Sequence, residues 1–573
     1  MTGLLPAVLL LLLPPCSPLL DSEPVRVARL FQQEEGILSL LHQLGFSSSQ
    51  EAQSLVSQGD AQAVAYLTAW RSRQQELGPG APVEELLRLL VGNPVHVYCL
   101  VDRLVTLPSL LAALQEQVAA EQAALAWGQL ARQEHLTKRL EIVEALARSV
   151  EVMALPGQQD LGAAGQALAR VAYAYRLDPV DLAWGYILGH QTGARLTVGQ
   201  MLQVARGRYE GLHPLRSGLG REWALAWEWG EAVLARLRRE GGWGAGEVEV
   251  FLREVQAGHD TYWQSPVGKR GVLPSEEYFV AKLVGAQGPG PDGRRGRALR
   301  RLEVEHLARE PWQEDLPQGY STHDFYALCR GEQPSRNRSV ADPHCYLRDK
   351  GHPFWRLAPL REEVVSLSPP LLLYHDMLTE QEMTYMTEKV TNQLAVATVQ
   401  DLTNDRGKVS VERSQSSGWL WDHDHPLLYK LARKTAALTG LNVASWLDAE
   451  AWQMGLYGPG GHYLPHFDAF DVLDGHAWAD SNPKTWRGNR MATVMYYLSD
   501  LVGGATAFPT LGVAARPRRG TAVFWYNMRE DGQRIPESLH GACPTALGVK
   551  WVSNKWIREG SQLWKRPCLK EKQ

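Results

Sequence analysis

YGPGGHYLPHFD, running from Tyr457 to Asp468, joins a glycine turn to a short run of strand character. In a strand, residues two apart share a face, so His466 and Asp468 project an imidazole and a carboxylate toward one point. A third ligand must come from elsewhere, and His540 in SLHGACP is well placed, beyond further strand-like segments. Two histidines and one carboxylate on one face leave three positions open on an octahedral Fe(II), as oxygen activation needs. His-X-Asp alone is a weak signal in a chain with 17 histidines, where a surface histidine beside a solvated aspartate is the plainer explanation. A nearby cation strengthens it. Lys550 opens the strand-like KWVSNKW after His540, and a 2-oxoacid cosubstrate with a distal carboxylate requires a paired charge once it is desolvated. An ordinary edge-strand lysine would show the same spacing.

Around this stretch the texture is one of short strands. EVVSLSPPLLLYHD, MATVMYYLSD, GTAVFWYNM and KWVSNKWI, punctuated by YGPGG, VGGAT and RRG turns, predict a sandwich or barrel over residues 346–573. Residues 261–345 predict a linker with a disulfide loop. Its stretch AQGPGPDGRRGRALRRL (Ala286 to Leu302) is rich in Gly, Pro and Arg, and a solvated charged loop explains the arginines better than an acidic partner does. Residues 156–260 predict helices broken near Pro179, Pro214 and Gly241-Gly242. Within them, DLGAAGQALARVAYAYRLDP and REWALAWEWGEAVLARLRR look like helix pairs of the tetratricopeptide kind, though the period is too ragged to count repeats. Residues 21–155 predict a helical domain, with apolar residues three and four apart from Leu110 through Trp127. An oligomerisation surface and a bundle without a partner fit that pattern equally. Residues 1–20 carry an apolar run from Leu4 to Leu13, shorter than the roughly 20 residues of a bilayer span. They predict a signal peptide and secretory-pathway entry, although no Lys or Arg precedes the run. No later segment reads as long and apolar enough to cross a bilayer.

Lys+Arg 59 against Asp+Glu 63 gives a net charge of −4, which argues against a nucleic-acid binder with its basic surplus. Hydrophobic residues at 45% and charged residues at 21% exclude wholesale disorder. Of the six cysteines, Cys16 falls in the predicted signal. Five remain, and in an oxidising compartment an odd number leaves one over. The natural pairing is local, Cys329 with Cys345 and Cys543 with Cys568, leaving Cys99 buried and free; the alternative is that all five are reduced. Asn337-Arg338-Ser339 is a glycan acceptor sequon in a polar loop.

The segment from Tyr457 to Cys568, with YGPGGHYLPHFD, GNRMAT, GGATAF, GTAVFWYN, HGACP and KWVSNKWI in that order, resembles the catalytic domain of the collagen prolyl 4-hydroxylase alpha subunits. The resemblance extends more weakly upstream, through PLREEVVSLSPPLLLYHDMLTEQE, LTGLNV, DLGAAGQALARVAYAYRLD and GNPVHVYCLVDRL. It implies that His466, Asp468 and His540 are iron ligands and that Lys550 pairs the distal carboxylate of 2-oxoglutarate. It implies that Tyr457, Thr506 and Trp556 line the cosubstrate pocket, and that Tyr463 and Arg490 contact the peptidyl proline. The fold implied is α+β and multidomain: a helical amino-terminal (dimerisation) domain, a tetratricopeptide-like peptide-binding domain and a double-stranded β-helix, or jelly-roll, around the iron. The same two disulfides, the unpaired Cys99, and ascorbate and O2 as further cofactors are implied as well. So are a protein disulfide isomerase beta subunit in an α2β2 tetramer, collagen-like proline-rich substrates and the endoplasmic reticulum lumen.

Three functions compete. The first is C4 hydroxylation of proline in X-Pro-Gly sequences, coupled to decarboxylation of 2-oxoglutarate to succinate and CO2. The second keeps the chemistry and changes the acceptor, to lysine or to a non-collagen proline; Lys550 favours the prolyl branch, since lysyl hydroxylases resemble a pattern with arginine there. The third is an inactive binding or assembly subunit, against which the intact triad stands. Other ligand-type clusters read as structural: Asp424 and its neighbours in WDHDHP as helix capping, His375-Asp376 as a turn, and His462 as part of a glycine turn. Trp223, Trp227 and Trp229 stand where the resemblance leads one to expect peptide-stacking tyrosines, and read better as core residues of a helix pair.

Overall fold

The structure is a computed structural model that describes residues 24–44, 90–124, 130–210, 223–240, 244–264, 322–332, 344–397, 413–470 and 487–569. The predicted signal peptide, the sequon at Asn337, the arginine-rich stretch from Ala286 to Leu302 and most of the loop between Asp468 and Arg490 lie outside the described residues.

Two compact units emerge, and one boundary between them falls inside the helix Gln158–Tyr175. The smaller is helical. It contains α1 (Pro24–Gln43), α2 (Pro94–Ala123) and α3 (Leu130–Glu151). Leu104, Leu107, Leu110, Leu114 and Val118 are all buried, and their spacing of three and four residues puts them on one stripe of α2. Glu34 is fully buried and accepts from Arg103 Nε at 2.7 Å and Nη2 at 2.9 Å. This two-pronged geometry offsets the desolvation of both charges. Contrary to the sequence-based expectation, α2 is long and apolar enough by composition to cross a membrane, but half of its apolar window is buried inside the protein. Core packing of that buried stripe accounts for the composition, since a bundle interior selects apolar residues as a bilayer does.

The larger unit takes Pro24 and residues 90–95, and then runs from within α4 (Gln158–Tyr175) through α5 (Pro179–Ala183), the short hairpin β1 (Tyr186–Ile187) and β2 (His190–Gln191), α6 (Val198–Glu210), α7 (Trp223–Glu240) and α8 (Ala245–Gln264). Helices α7 and α8 approach so closely that a Cβ added at Gly230 would lie 2.7 Å from Leu252 Cδ2. Trp229 is wholly buried and Trp227 half-buried.

Next comes α9 (Thr322–Cys329), a helix within the stretch expected to be a linker. It packs on the sheet domain and ends at a disulfide between Cys329 and Cys543, with Cα atoms 5.5 Å apart. The local pairing Cys329–Cys345 and Cys543–Cys568 is therefore wrong. Cys345 and Cys568 are exposed and outside any disulfide, and Cys99 is half-buried and likewise not disulfide-bonded. Chain proximity misled because Cys345 sits on a solvent-facing edge strand, while α9 lies against the other sheet, where Cys543 is.

The strands form two facing layers. A nine-stranded sheet has the order β3-β4-β5-β14-β10-β17-β8-β7-β6, and a four-stranded sheet has the order β13-β12-β15-β9. The large sheet comprises β3 (His344–Arg348), β4 (Leu360–Leu367), β5 (Pro370–His375), β6 (Ala395–Val396), β7 (Ser416–Leu420), β8 (Trp452–Tyr457), β10 (Arg490–Tyr497), β14 (Ala522–Tyr526) and β17 (Lys550–Arg558). The small one comprises β9 (Tyr463–His466), β12 (Thr506–Phe508), β13 (Val513–Ala515) and β15 (His540–Ala542), with β11 (Val502–Gly503) and β16 (Thr545–Leu547) paired at its end. Side-chain parity divides the core. Trp452, Met454, Val494, Tyr496, Phe524 and Ile557 face helices α11 (Glu380–Thr391) and α12 (Pro426–Thr439), beneath which α10 (Pro353–Leu357) adds Trp355. The alternate residues Met495, Tyr497, Val523, Trp525 and Val552 face Phe508, Leu511 and Ala542 of the small sheet. Polar groups that stay on this inner face line the space between the layers.

Candidate active site

Strands β9 and β15 pair with His466 directly opposite His540. Cross-strand neighbours on one face are the closest side chains a sheet offers, and the two imidazole centroids lie 4.6 Å apart. His466 Nδ1 donates to Leu464 O at 2.8 Å, and His540 Nδ1 donates to Ser538 O at 2.9 Å. Each ring is thereby held with Nε2 as the free acceptor, the tautomer a metal requires. Those Nε2 atoms lie 3.9 and 3.7 Å from the two carboxylate oxygens of Asp468. All three ligand atoms fall within 4.8 Å of one another, the one such group among the described residues. Thr493 Oγ1 donates to Asp468 Oδ2 at 2.7 Å, and Asn527 Nδ2 donates to Thr493 at 2.8 Å.

Burial pushes the Asp468 carboxyl up, but His540, His466, Arg490 and the Thr493 hydroxyl outweigh it and hold the group below its ordinary range. Burial, reinforced by His540, pushes His466 down to about 3 against the pull of Asp468. The site is therefore a neutral imidazole donor and a carboxylate poised for a cation.

Lys550 opens β17 opposite Tyr457 on β8. Its ammonium is 1% exposed and has no hydrogen-bond partner. It stands 5.2 Å from the Tyr457 ring centre and 5.7 Å from that of Tyr497. Burial pushes its pKa down to about 7. A buried ammonium without a partner is costly, and a carboxylate supplied from outside removes that cost. Thr506 joins the same pocket, its hydroxyl bonded to Tyr497 OH at 2.7 Å.

Trp556 does not sit with Lys550. It lies six residues along β17, about 20 Å away at strand rise, opposite Thr493 and therefore at the metal end. Its ring underlies Arg490, with the guanidinium 3.6 Å from the ring centre. Arg490 in turn is gripped by Glu450, Nε to Oε1 at 2.7 Å and Nη2 to Oε2 at 2.9 Å. Tyr463 stacks on His466 with ring centres 3.6 Å apart, and Arg413 covers its other face. Thr493, Asn527, Tyr497 and Glu450 escaped the sequence reading. Parity would have found two of them, because Thr493, Met495 and Tyr497 share the inner face of β10. The other clusters are structural. His425 Nδ1 caps α12 by accepting from Leu427 N at 3.2 Å, Asp424 accepts from Trp421 N at 2.8 Å, and Asp376 pairs with Arg361.

Sheet layers enclosing a His-Asp-His group and a buried lysine define an oxygenase of the 2-oxoglutarate and Fe(II) class, and the model of the 2OG-Fe(II) oxygenase superfamily matches residues 452–558. The chain belongs to the prolyl 4-hydroxylase alpha-subunit family. It is 33% identical over 426 residues to prolyl 4-hydroxylase subunit alpha-2 of Caenorhabditis elegans, covering 72% of this chain and 74% of that one. It is 30% identical over 528 residues to subunit alpha-3 of Rattus norvegicus, covering 85% of each. A solved viral collagen prolyl hydroxylase from Paramecium bursaria Chlorella virus-1, in complex with 2OG, is 25% identical and covers 33% of this chain and 95% of its own, with a TM-score of 0.26, too low to bear on the fold.

Proposed function

We propose that this chain is the alpha subunit of a procollagen-proline 4-dioxygenase, hydroxylating C4 of proline in X-Pro-Gly sequences while 2-oxoglutarate becomes succinate and CO2. The observation that carries this reading is the unpartnered, buried Lys550 ammonium in the same inter-sheet space as His466, Asp468 and His540. That donor set suits Fe(II), and the lysine suits a distal carboxylate. Fe(II), once bound with 2-oxoglutarate and O2, supplies the oxidising power.

The chain's own residues do the rest. His466, His540 and Asp468 would hold the metal, and a three-residue set leaves coordination positions for cosubstrates. Lys550, flanked by Tyr457 and Tyr497, would pair the cosubstrate's distal carboxylate and so orient the bound molecule. The inner-face apolar residues exclude water, which shields reactive species from side reactions. Tyr463 and Arg490, over His466 and Trp556, form the mouth that receives the proline.

In this reading the facing sheets are a double-stranded β-helix, α4 to α8 a tetratricopeptide-like peptide-binding domain, and ascorbate a further cofactor. The Cys329–Cys543 disulfide suits the lumen of the endoplasmic reticulum, where a protein disulfide isomerase beta subunit would complete the tetramer. Succinate release with a (Pro-Pro-Gly) repeat peptide, Fe(II) and 2-oxoglutarate, with and without the isomerase, tests the reading. Peptide-dependent succinate is expected; its absence under both conditions sinks it.

A further inference from the structure

Three loops lead to residues of the Lys550 pocket, and α4 is bonded to each. Tyr175, the last residue of α4, is 5% exposed. Its hydroxyl donates to Pro544 O at 2.5 Å and accepts from Gly504 N at 3.0 Å. Gly503 leaves room for that phenol: at φ +77°, a Cβ there would lie 2.4 Å from the Tyr175 oxygen. Further back on α4, Arg170 Nη1 donates to Gly460 O at 2.7 Å. Gly460, at φ +74°, lies directly on the helix, since an added Cβ would come within 2.6 Å of Ala167 O. Gly460 N in turn donates to Thr545 O at 2.7 Å.

These loops carry the cosubstrate pocket. The Gly460 turn follows Tyr457, Gly503-Gly504 leads to Thr506, and Thr545 pairs with Gly503 on the way to Lys550. A Cβ at Gly504 would lie 3.4 Å from Lys550 Cδ and 3.5 Å from Thr545 Oγ1, so both side chains crowd the same point. Thr545 is fully buried, and its hydroxyl, like the Lys550 ammonium, lacks a hydrogen-bond partner. Two orphaned donors in one buried pocket are what a carboxylate satisfies.

We propose that Tyr175 and Arg170 of α4 are positioning residues for the distal carboxylate of 2-oxoglutarate, holding the loops so that the Lys550 ammonium and the Thr545 hydroxyl converge on it. The inference rests on the functional reading above and adds to it that a helix outside the sheet domain sets cosubstrate affinity. Gly504 N also donates to Pro544 O at 3.1 Å, so loss of the phenol oxygen loosens the loops without unpairing them.

The test is calorimetric titration of 2-oxoglutarate into the metal-loaded full chain, with steady-state kinetics alongside. In Tyr175→Phe and Arg170→Gln, Kd and KM for 2-oxoglutarate are expected to rise roughly tenfold, the scale of outer-shell losses. The kcat and the peptide KM should stay within about twofold, because only cosubstrate binding is altered. Thr545→Val should give the same split, and it carries the test if Tyr175→Phe does not accumulate as soluble protein. An unchanged 2-oxoglutarate Kd, or a fall in kcat and Tm at unchanged Kd, overturns the proposal. A wild-type chain that binds no 2-oxoglutarate and releases no succinate overturns the functional reading instead.

Discussion

Each imidazole at the metal site is fixed through Nδ1 by a carbonyl two residues earlier in its own chain, Leu464 for His466 and Ser538 for His540. The backbone thus selects the tautomer before any metal arrives. Replacing His466, Asp468 or His540 by Ala should abolish turnover and Fe(II) binding while the far-ultraviolet circular dichroism stays native. Retained activity in two of the three would remove the assignment. Thr493→Val is expected to weaken Fe(II) binding by about 10- to 100-fold, because it releases one carboxylate oxygen of Asp468. Lys550→Ala leaves the cosubstrate carboxylate desolvated and unpaired at a cost of roughly 3–5 kcal/mol. The KM for 2-oxoglutarate should therefore rise by about 150- to 5,000-fold, the range that energy implies. Lys550 also sets a pH dependence. Its pKa in the free protein is about 7, and the bound carboxylate raises it, so binding takes up a proton at higher pH. Above pH 7 the KM for 2-oxoglutarate should climb up to about tenfold per unit, and Lys550→Arg should flatten that slope because arginine stays charged. A flat wild-type profile would assign the pairing to another cation.

At the scale of elements, the strands around the triad were legible because each pairs an apolar alternation with a glycine turn. MATVMYYLSD, GTAVFWYNM and KWVSNKWI became β10, β14 and β17. Lys550 was legible because it starts such a strand. The resemblance grouped Trp556 with Tyr457 and Thr506, but it supplies residues and not the 20 Å or so of extended chain that separates Trp556 from Lys550. Helix α9 was invisible inside a polar stretch, because its eight residues are helical by virtue of packing on the sheet rather than by periodicity. Helix α7 shows the opposite case. Its WALAWEW run allowed stacking on a peptide or burial in a core, and burial holds for Trp229, which is wholly enclosed. Trp229→Ala should destabilise the chain by about 3–5 kcal/mol in denaturant unfolding. An exposed binding residue would instead leave stability unchanged and lower peptide affinity.

For the molecule as a whole, what the chain could not reveal is which distant segments meet. Cys329 and Cys543 are separated by 214 residues, yet the disulfide between them ties α9 to the strand that carries His540. Next to it, a Cβ at Gly541 would lie 2.8 Å from Phe325 Cε2, so helix and strand touch without spare room. Closing so long a loop in the unfolded chain removes much of its freedom, and the loop-closure model gives about 5 kcal/mol of stabilisation. A local pairing would give less, because its loops are far shorter. Three consequences can be measured together. Peptide mapping without reduction should recover Cys329 joined to Cys543, with Cys345 and Cys568 alkylated in the native protein, since both are exposed. The double substitution Cys329→Ser with Cys543→Ser should lower the unfolding free energy by several kcal/mol, about the loop-closure figure. Fe(II) affinity should fall with it, because His540 lies three residues from Cys543 on the anchored segment. The substitution Cys345→Ser with Cys568→Ser should change neither quantity. If the second pair destabilises and the first does not, or if mapping recovers Cys329–Cys345, then α9 is not fastened to the metal strand and the local pairing was right after all.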